Sequence, residues 1–293
     1  MDFIRYKKIY FVFSGILIGG SIIFVIAFGL NPGIDFTGGS ILEIDYLGQR
    51  PSSQEIREKL SEFDLGEIYI QPSDEKGVII RMKDVPEDIH QAVIQKLGVS
   101  ENEIEEKRFE SLGPVIGKEL KGKTATLTVL ALLSIVIYIA LAFRKIKRPL
   151  PSWQYGIVSL IILFHDIAIP VGVFSILGKF YGVQVTIPVV AALLTVVGYA
   201  INNVVVVFDR VREGLIKRIG VTFEETINKS INQTLARCLN TSLTTLLVLL
   251  AIFFFGGITL RYFSLSLIIG IAAGTYSSIF LAGPLLTIFR RYA

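Results

Sequence analysis

Six long apolar stretches alternate with polar segments along the chain. Each is 19 to 28 residues long, and a helix needs roughly 20 residues to cross a hydrocarbon core about 30 Å thick. The pattern therefore predicts six membrane-spanning helices, at Ile9–Leu30, Ala125–Phe143, Tyr155–Leu177, Val185–Phe208, Thr234–Phe255 and Tyr262–Phe289. The first stretch is too long for a signal-peptide core and no small-residue cleavage site follows it, so we expect a retained anchor.

The segment between the first two stretches, residues 31–123, has a different periodicity. Short runs in which apolar and polar residues alternate, as is typical of strands, are interspersed with segments of helical spacing. In chain order the predicted elements are strand Ser40–Tyr46, helix Ser53–Phe63 with Ser53 as its N-cap, strands Glu67–Gln71 and Gly77–Met82 separated by a turn at 72–75, helix Pro86–Leu97 and strand Ile104–Leu112. This β-α-β-β-α-β order predicts a ferredoxin-like α/β domain.

Composition supports this division into two environments. The chain is 52% hydrophobic and only 18% charged, whereas soluble domains carry about 25% charged residues. Residues 31–123 hold 19 of the 25 acidic residues but 12 of the 29 basic ones. The composition therefore predicts an acidic domain in water and a basic, apolar remainder in lipid. It excludes a disordered chain and a disulfide-rich scaffold. The lone Cys238 is expected to serve helix packing.

Basic residues concentrate in alternate loops, which predicts the orientation of the spans. They lie at 5–8, 144–148, 210–229 and 290–291, whereas the opposite short loops contain only Lys179 and Arg261. The positive-inside rule then places both termini in the cytoplasm and residues 31–123 outside. The same rule explains the pI near 9.0 without a nucleic-acid partner.

The predicted organisation has three parts. Residues 1–30 form a cytoplasmic tail and the first span, residues 31–123 the extracytoplasmic ferredoxin-like domain, and residues 124–293 the other five spans with cytoplasmic loops at 144–154 and 209–233. In the last of these loops, residues 222–225 (TFEE) match a capping box, which predicts a short amphipathic helix before the fifth span.

Several polar side chains fall within the predicted spans, where they are costly and are expected to face the bundle interior or a wet cavity. They are His165 and Asp166 in the third span, Asn202 and Asn203 in the fourth, and Arg237, Thr241, Thr244 and Thr245 on one face of the fifth. Asn203 and Arg237 lie at similar depth, so the pattern predicts one polar interface. The alternatives are interhelical hydrogen bonding by the asparagines and snorkelling by the arginine.

Other features indicate packing rather than chemistry. Small residues recur at every fourth position of the sixth span, at Ser266, Gly270, Gly274, Ser278 and Ala282, which favours close helix approach. Nucleotide-binding, hydrolase and zinc motifs are absent from the sequence, so no cofactor or metal is expected. His165 and Asp166 project about 100° apart on a helix, which argues against a hydrolytic dyad.

Short motifs extend over nearly the whole chain. Residues 33–39 (GIDFTGG) follow the first span, and the others are LGPVIG at 112–117, FHD at 164–166, GYAINN at 198–203, VFDRVRE at 207–213 and RCLNTSLTT at 237–245. Together they resemble the signatures of the SecF family of bacterial protein-export membrane proteins, whose GIDFxGG motif is fairly specific.

The resemblance implies a resistance-nodulation-division (RND) type membrane fold in the cytoplasmic (inner) membrane. It also implies a SecD partner that supplies six further spans, contact with the SecYEG channel, YajC and translocating preprotein, and use of the proton-motive force without enzymatic activity. The motif residues that it assigns are Gly33, Asp35, Phe36, Gly38, Gly39, Gly198, Asp209 and Arg210. The paired glycines permit a positive φ or close backbone approach, as a hinge to the outer domain would need; the alternative is an ordinary turn that leads into the strand at Ser40.

One position departs from the family pattern. The family usually has Asn-Asp where this chain has Asn202-Asn203, and the aspartate is associated with proton transfer involving the arginine that matches Arg237. An amide does not titrate, so either Asp166 and the partner's carboxylates carry protons, or this chain is a substituted, inactive form. We expect a protonated Asp166 without direct contact to Arg237, so that losing the Arg237 charge is severe and Asp166→Asn is mild.

Two rival functions remain open at this point. An RND-like exporter of lipids or small molecules would share the fold, although the outer domain is small for such an exporter. A structural scaffold would only tether other translocon proteins, and its polar residues would serve packing.

Overall fold

A computed structural model of the chain describes residues 1–73, 75–98, 104–143 and 151–289. Asp74 of the predicted turn and the basic clusters predicted at 144–148 and 290–291 lie outside these ranges. The chain divides into two compact units. We call residues 1–29, 127–177 and 188–293 the helical unit, and residues 30–126 and 178–187 the α/β unit.

The elements follow one another in nearly the predicted order. They are α1 (Lys7–Phe28), α2 (Ile34–Thr37), β1 (Gly39–Tyr46), α3 (Ser53–Leu60), β2 (Tyr69–Ser73), β3 (Gly77–Met82), α4 (Glu87–Leu97), β4 (Ile104–Leu112), α5 (Pro114–Phe143), α6 (Ser152–Tyr181), α7 (Ile187–Ile216), α8 (Phe223–Phe255), α9 (Ile258–Phe280) and α10 (Ala282–Phe289). Among the described residues six helices, α1 and α5 to α9, are long and apolar enough to cross a membrane. The prediction of six spans is confirmed.

Several helix boundaries differ from the predicted spans, and α7 continues to Ile216, beyond the predicted end at Phe208 and into the predicted loop 209–233. Helix α5 begins at Pro114 rather than near residue 125, because its charged first turns also form helix, with an ion pair of 2.7 Å between Glu119 and Lys123. Helix α8 includes the predicted amphipathic helix and the fifth span as one continuous helix. Its capping box is confirmed, since Thr222 Oγ1 accepts a 3.1 Å hydrogen bond from the Glu225 N–H.

The sixth apolar stretch is divided into α9 and α10 at Leu281. Pro284 lies in the first turn of α10. Proline lacks an N–H, so it cannot continue the hydrogen-bond ladder of α9, but it is tolerated in the first turn of a new helix. The proline therefore explains why one apolar run becomes two helices.

The first residues of the chain are fastened to the start of α8. The Phe3 N–H donates to Asn228 Oδ1 at 2.8 Å, and the amides of Asn228 and Asn232 donate to the Met1 carbonyl at 3.0 and 2.8 Å. The Phe3 ring is buried and packs edge-on against Phe280 at 5.7 Å. We call this arrangement the N-terminal clasp.

The α/β unit has the predicted ferredoxin-like topology. Its antiparallel sheet has the strand order β2-β3-β1-β4. Alternate residues of β1, Leu42, Ile44 and Tyr46, are fully buried and form one core with the apolar side chains of α3 and α4, including Ile56 and Leu97. The period of two along β1 thus places one face of the sheet against both helices.

Several helix and strand boundaries in the α/β unit differ from the predicted ones. The N-cap of α3 is Ser52, not Ser53, and its Oγ accepts a 3.2 Å hydrogen bond from the Glu55 N–H. Strand β2 lies two residues later than predicted and includes residues 72–73 of the predicted turn. Pro86 is the N-cap of α4 rather than its first residue, a position that suits a residue without an N–H.

Residues 178–187, which the sequence assigned to the loop after the third span and the first residues of the fourth, group with the α/β unit. The Val185 N–H donates to the Asn31 carbonyl at 2.7 Å, and the Gly33 N–H donates to the Val185 carbonyl at 2.8 Å. These two bonds join the segment before α7 to the segment after α1, and periodicity along the sequence gives no sign of them.

Candidate functional site

The 33–39 motif fixes the start of α7 within the α/β unit. Asp35 Oδ2 accepts a 2.9 Å hydrogen bond from the N–H of Ile187, the first residue of α7. A Cβ at Gly33 would lie 2.9 Å from Thr186 Cγ2 and 3.2 Å from the Val185 carbonyl oxygen, so a larger residue would require these neighbours to shift. Phe36 is half-buried on the short helix α2. The motif thus supplies an acceptor for an N–H that α7 leaves without a helical partner.

The paired glycines adopt a conformation that other residues rarely adopt. Gly38 has φ +75° and Gly39 has φ +135°. A Cβ at Gly38 would lie 2.6 Å from Pro114 Cα, and a Cβ at Gly39 would lie 2.7 Å from the Met82 carbonyl oxygen. Gly117 also approaches closely, since its Cβ would lie 2.6 Å from the Gly38 N. Positive φ and close backbone approach both occur here, and we call this cluster the glycine junction.

Replacing Asp35 by alanine should loosen the first turn of α7. Loss of an acceptor for an N-terminal N–H typically costs about 1 kcal/mol, which corresponds to roughly fivefold faster amide exchange. Hydrogen exchange at residues 187–190 measures this effect. Asp35→Asn keeps a side-chain oxygen and should lose less, and Asp64→Ala, an exposed carboxylate paired with Lys83, serves as the control. Unchanged exchange in Asp35→Ala would contradict the assigned contact.

The structure does not bring Asn203 and Arg237 together. Asn203 is buried at 2% exposure and its Nδ2 has no hydrogen-bond partner among the described residues. Arg237 is exposed on α8, and Asn202 is exposed on α7. Within the described ranges, Arg237 also makes no ion pair with Asp166 or any other carboxylate. Asn203 belongs to the inward face of α7, whereas Arg237 belongs to the outward face of α8.

The threonines that follow Arg237 bond to their own helix. The hydroxyls of Thr241, Thr244 and Thr245 donate to the carbonyls of Arg237, Asn240 and Thr241 at 2.9, 3.0 and 3.0 Å. This i to i−4 bonding satisfies the hydroxyls without a second helix. Because Thr241 and Thr244 remain exposed, a polar stripe runs along the outward face of α8.

A cavity of about 420 Å³ lies between the C-terminal part of α7 and the first half of α8. Its lining residues are Val205, Val206, Asp209, Arg210, Arg212, Glu213, Gln233, Thr234 and Arg237. Arg210 is paired with Glu213 and also donates to Gln233 Oε1 at 2.7 Å, and Arg212 lies 3.5 Å from Asp209. The motif residues Asp209 and Arg210 therefore line the same cavity as Arg237.

Gly198, another motif residue, occupies an open position on α7. Gly198 is exposed, and a Cβ placed there would meet no heavy atom of the described residues within 4 Å. Packing within the described part of the chain therefore gives no reason for a glycine at this position.

His165 and Asp166 form a buried pair near the middle of α6. Both are 0% exposed, and His165 Nδ1 lies 2.8 Å from Asp166 Oδ1. The prediction that these two residues, which project about 100° apart, cannot form a dyad is wrong as regards their contact. Their Cα atoms are only about 3.8 Å apart, so both side chains reach the same space between helices.

Two residues of this cluster escaped the sequence analysis, and both lie on α9. Ser277 Oγ donates to Asp166 Oδ2 at 2.9 Å, and the Tyr276 ring stacks against His165 at 6.0 Å. A signal was present in the sequence, because residues 275–278 (TYSS) are four consecutive hydroxyl-bearing residues within an apolar stretch.

Six spans, a ferredoxin-like domain and polar groups buried within the helical unit define a multi-pass membrane protein with a small water-exposed domain. A family model described as "Protein export membrane protein SecD/SecF, C-terminal" matches residues 92–292, and a second one, "SecD/SecF GG Motif", matches residues 23–46. The chain belongs to the SecF family and is a subunit of the Sec protein-export machinery.

Curated relatives named "Protein translocase subunit SecF" agree over nearly their full length. The one from Thermobaculum terrenum is 38% identical over 98% of this chain and 93% of its own, and the one from Haemophilus influenzae is 37% identical over 96% and 83%. The crystal structure of SecDF from Thermus thermophilus has a TM-score of 0.87 and 32% identity over 99% of this chain. This chain spans only 39% of that SecDF chain.

Proposed function

We propose that this chain pairs with a SecD subunit and that the pair uses the proton-motive force to promote preprotein translocation. The observation that carries the proposal is the outward polar stripe of α8, which begins at Arg237, a residue that forms no ion pair within the described part of the chain although Asp209 and Glu213 line the same cavity. A guanidinium on a membrane-spanning helix is costly in lipid and usually faces protein or water.

The surface next to this stripe fits the same interpretation. The exposed face of α7 carries Thr195, Gly198 and Asn202, and small and polar residues of this kind line helix–helix interfaces in membranes. The open position of Gly198 then has a reason, because a partner helix needs close approach there. A carboxylate from that partner is the natural counter-ion for Arg237. The SecDF structure, of which this chain matches 39%, supports a second half of similar fold.

The family membership supports the remaining assignments. We place the chain in the cytoplasmic membrane with both termini in the cytoplasm, next to the SecYEG channel and YajC. The α/β unit then faces outward and handles the emerging polypeptide. No cofactor and no catalysed reaction enter this proposal, since the proton gradient supplies the energy.

Asn203 tests the route of the protons. An amide does not titrate, so in this chain proton transfer would rest on Asp166 and on carboxylates of the partner. The Asn203→Asp variant places a titratable group at the position where the family usually has one. We expect Asn203→Asp to restore or raise gradient-dependent export.

The measurement is preprotein translocation into membrane vesicles that contain this chain and SecD, with and without a proton gradient. Asn202→Asp, an exposed neighbour on the same helix, is the matched control. Equal gradient dependence in Asn203→Asp and in the unchanged chain would show that protons do not pass through position 203. Absence of any gradient dependence, or failure to co-purify with SecD, would refute the proposed function itself.

A further inference from the structure

We infer that His165, Asp166 and Ser277 form a proton-binding site within the helical unit, in which Ser277 is a positioning residue that links the charge on Asp166 to α9. The inference rests on the proposed function, because it assigns a site to the proton whose gradient drives export. It also revises the expectation that Asp166→Asn is mild, because that expectation rested on the likeness of a protonated carboxyl group to an amide, and an amide cannot bind and release a proton.

The geometry is that of a hydrogen-bonded chain across two helices. His165 Nδ1 lies 2.8 Å from Asp166 Oδ1, and Asp166 Oδ2 lies 2.9 Å from Ser277 Oγ. Each carboxylate oxygen thus has one partner, on α6 and on α9 respectively. His165 Nε2 is buried and has no hydrogen-bond partner among the described residues. The hydrogen-bonded chain therefore ends at His165 Nε2, a ring nitrogen that accepts a proton when Nδ1 carries one.

Among the described residues, the other titratable side chains near the pair, Tyr276 and Cys238, make no hydrogen bond to it. Tyr276 of α9 stacks on His165, and its hydroxyl donates to the Tyr10 carbonyl of α1 at 3.2 Å. Cys238 of α8 lies in the apolar core of the bundle. Ala200 of α7 and Gly274 of α9, which carry no charge, also lie nearby, and a Cβ on Gly274 would lie 3.3 Å from Asp166 Oδ2. Within the described residues no lysine or arginine faces the pair.

Proton uptake at this site involves a simple exchange. A proton from water binds His165 Nε2, and the proton on Nδ1 passes to Asp166 Oδ1, which leaves a neutral imidazole and a neutral carboxylic acid. Release reverses these steps, so no other reactant is needed. A serine hydroxyl bonds more strongly to a carboxylate than to a carboxylic acid. Protonation therefore weakens the contact between α6 and α9, and deprotonation strengthens it.

The test compares Ser277→Ala with Ser278→Ala in gradient-driven translocation between pH 5 and pH 9. Both serines are 0% exposed on α9, and each hydroxyl contacts a carbonyl of its own helix, Gly274 at 3.1 Å for Ser277 and Thr275 at 3.0 Å for Ser278. Among the described residues, Ser277 also bonds to Asp166 and Ser278 does not. Ser277→Ala removes one hydrogen bond to the charged carboxylate, so the midpoint of its pH profile should move to higher pH by about one unit. Ser278→Ala should keep the original midpoint. Asp166→Asn and His165→Gln should both abolish the gradient-dependent part of export.

Infrared difference spectra of the reconstituted SecD–SecF pair between low and high pH provide a readout that needs no export. A buried carboxylic-acid band should appear in the unchanged protein, vanish in Asp166→Asn and change frequency in Ser277→Ala. Gradient-dependent export with identical pH profiles in both serine variants, or a band that survives Asp166→Asn, would overturn this site while the proposed function stands. An unchanged protein without gradient dependence would instead remove the proposed function.

Discussion

Replacing Arg237 by alanine should reduce gradient-driven export more than about 100-fold, while gradient-independent export continues. The guanidinium lies at the head of an outward polar stripe on α8 and beside the cavity between α7 and α8. If a partner carboxylate pairs with it, its removal leaves an uncompensated buried charge, which costs about 3–5 kcal/mol. Each 1.4 kcal/mol corresponds to a factor of ten. Translocation with and without a proton gradient measures both components.

Arg212→Ala is the matched control for this variant. Arg212 lines the same cavity, but it already has Asp209 at 3.5 Å on its own helix and is half-exposed. Such surface pairs contribute about 0–1 kcal/mol, so export should change little. Arg237→Lys keeps the charge but loses the planar fork, and an intermediate activity is expected. Full gradient dependence in Arg237→Ala would remove the arginine from the coupling mechanism.

The second large effect is expected for the double substitution of Gly38 and Gly39 by alanine. Both glycines have positive φ, which costs other residues roughly 1–2 kcal/mol each, and each new Cβ would approach backbone atoms to 2.6–2.7 Å. The start of β1 or the start of α5 must then move. We expect impaired export and faster hydrogen exchange in β1. Membrane insertion and abundance should remain normal, because the six apolar spans are unchanged.

Gly113→Ala tests whether the glycine junction, rather than any glycine near it, is responsible. A Cβ at Gly113 would meet only Asp84 Oδ2, at 3.7 Å, and its φ is not positive. Export and exchange in this variant should match those of the unchanged chain. Normal export from the double variant would show that the close backbone contacts at Gly38 and Gly39 are dispensable for coupling.

Much of the fold was accessible from the sequence because its signals are local. Apolar runs predicted all six spans, and strands β3 and β4 have the predicted limits, Gly77–Met82 and Ile104–Leu112. Capping by Thr222 was likewise readable from four residues. The errors at α5 and α8 arose because hydropathy marks where a helix meets lipid, not where helical hydrogen bonding begins.

The site was less accessible because it depends on contacts between distant parts of the chain. Asp35 and Ile187 are 152 residues apart, and Asp166 and Ser277 are 111 apart. Polar residues within spans were singled out by their cost in lipid, but the helix that each one faces is set by tertiary packing. Asn203 and Arg237 were predicted at a similar depth in the membrane, yet Asn203 is buried and Arg237 is exposed. The position of a residue along its span does not show which way its side chain points.

The N-terminal clasp has a consequence for biogenesis. Met1 and Phe3 are made early, and their partners Asn228 and Asn232 follow more than 220 residues later. At synthesis rates of about 5–20 residues per second, the leading end waits at least about ten seconds before it meets the start of α8. The first helix therefore enters the bilayer without its final neighbours, and the residues before α1 are held in place only when α8 has been made. The Phe3 ring also needs Phe280 of α9, so the clasp closes fully only after the sixth span has been made.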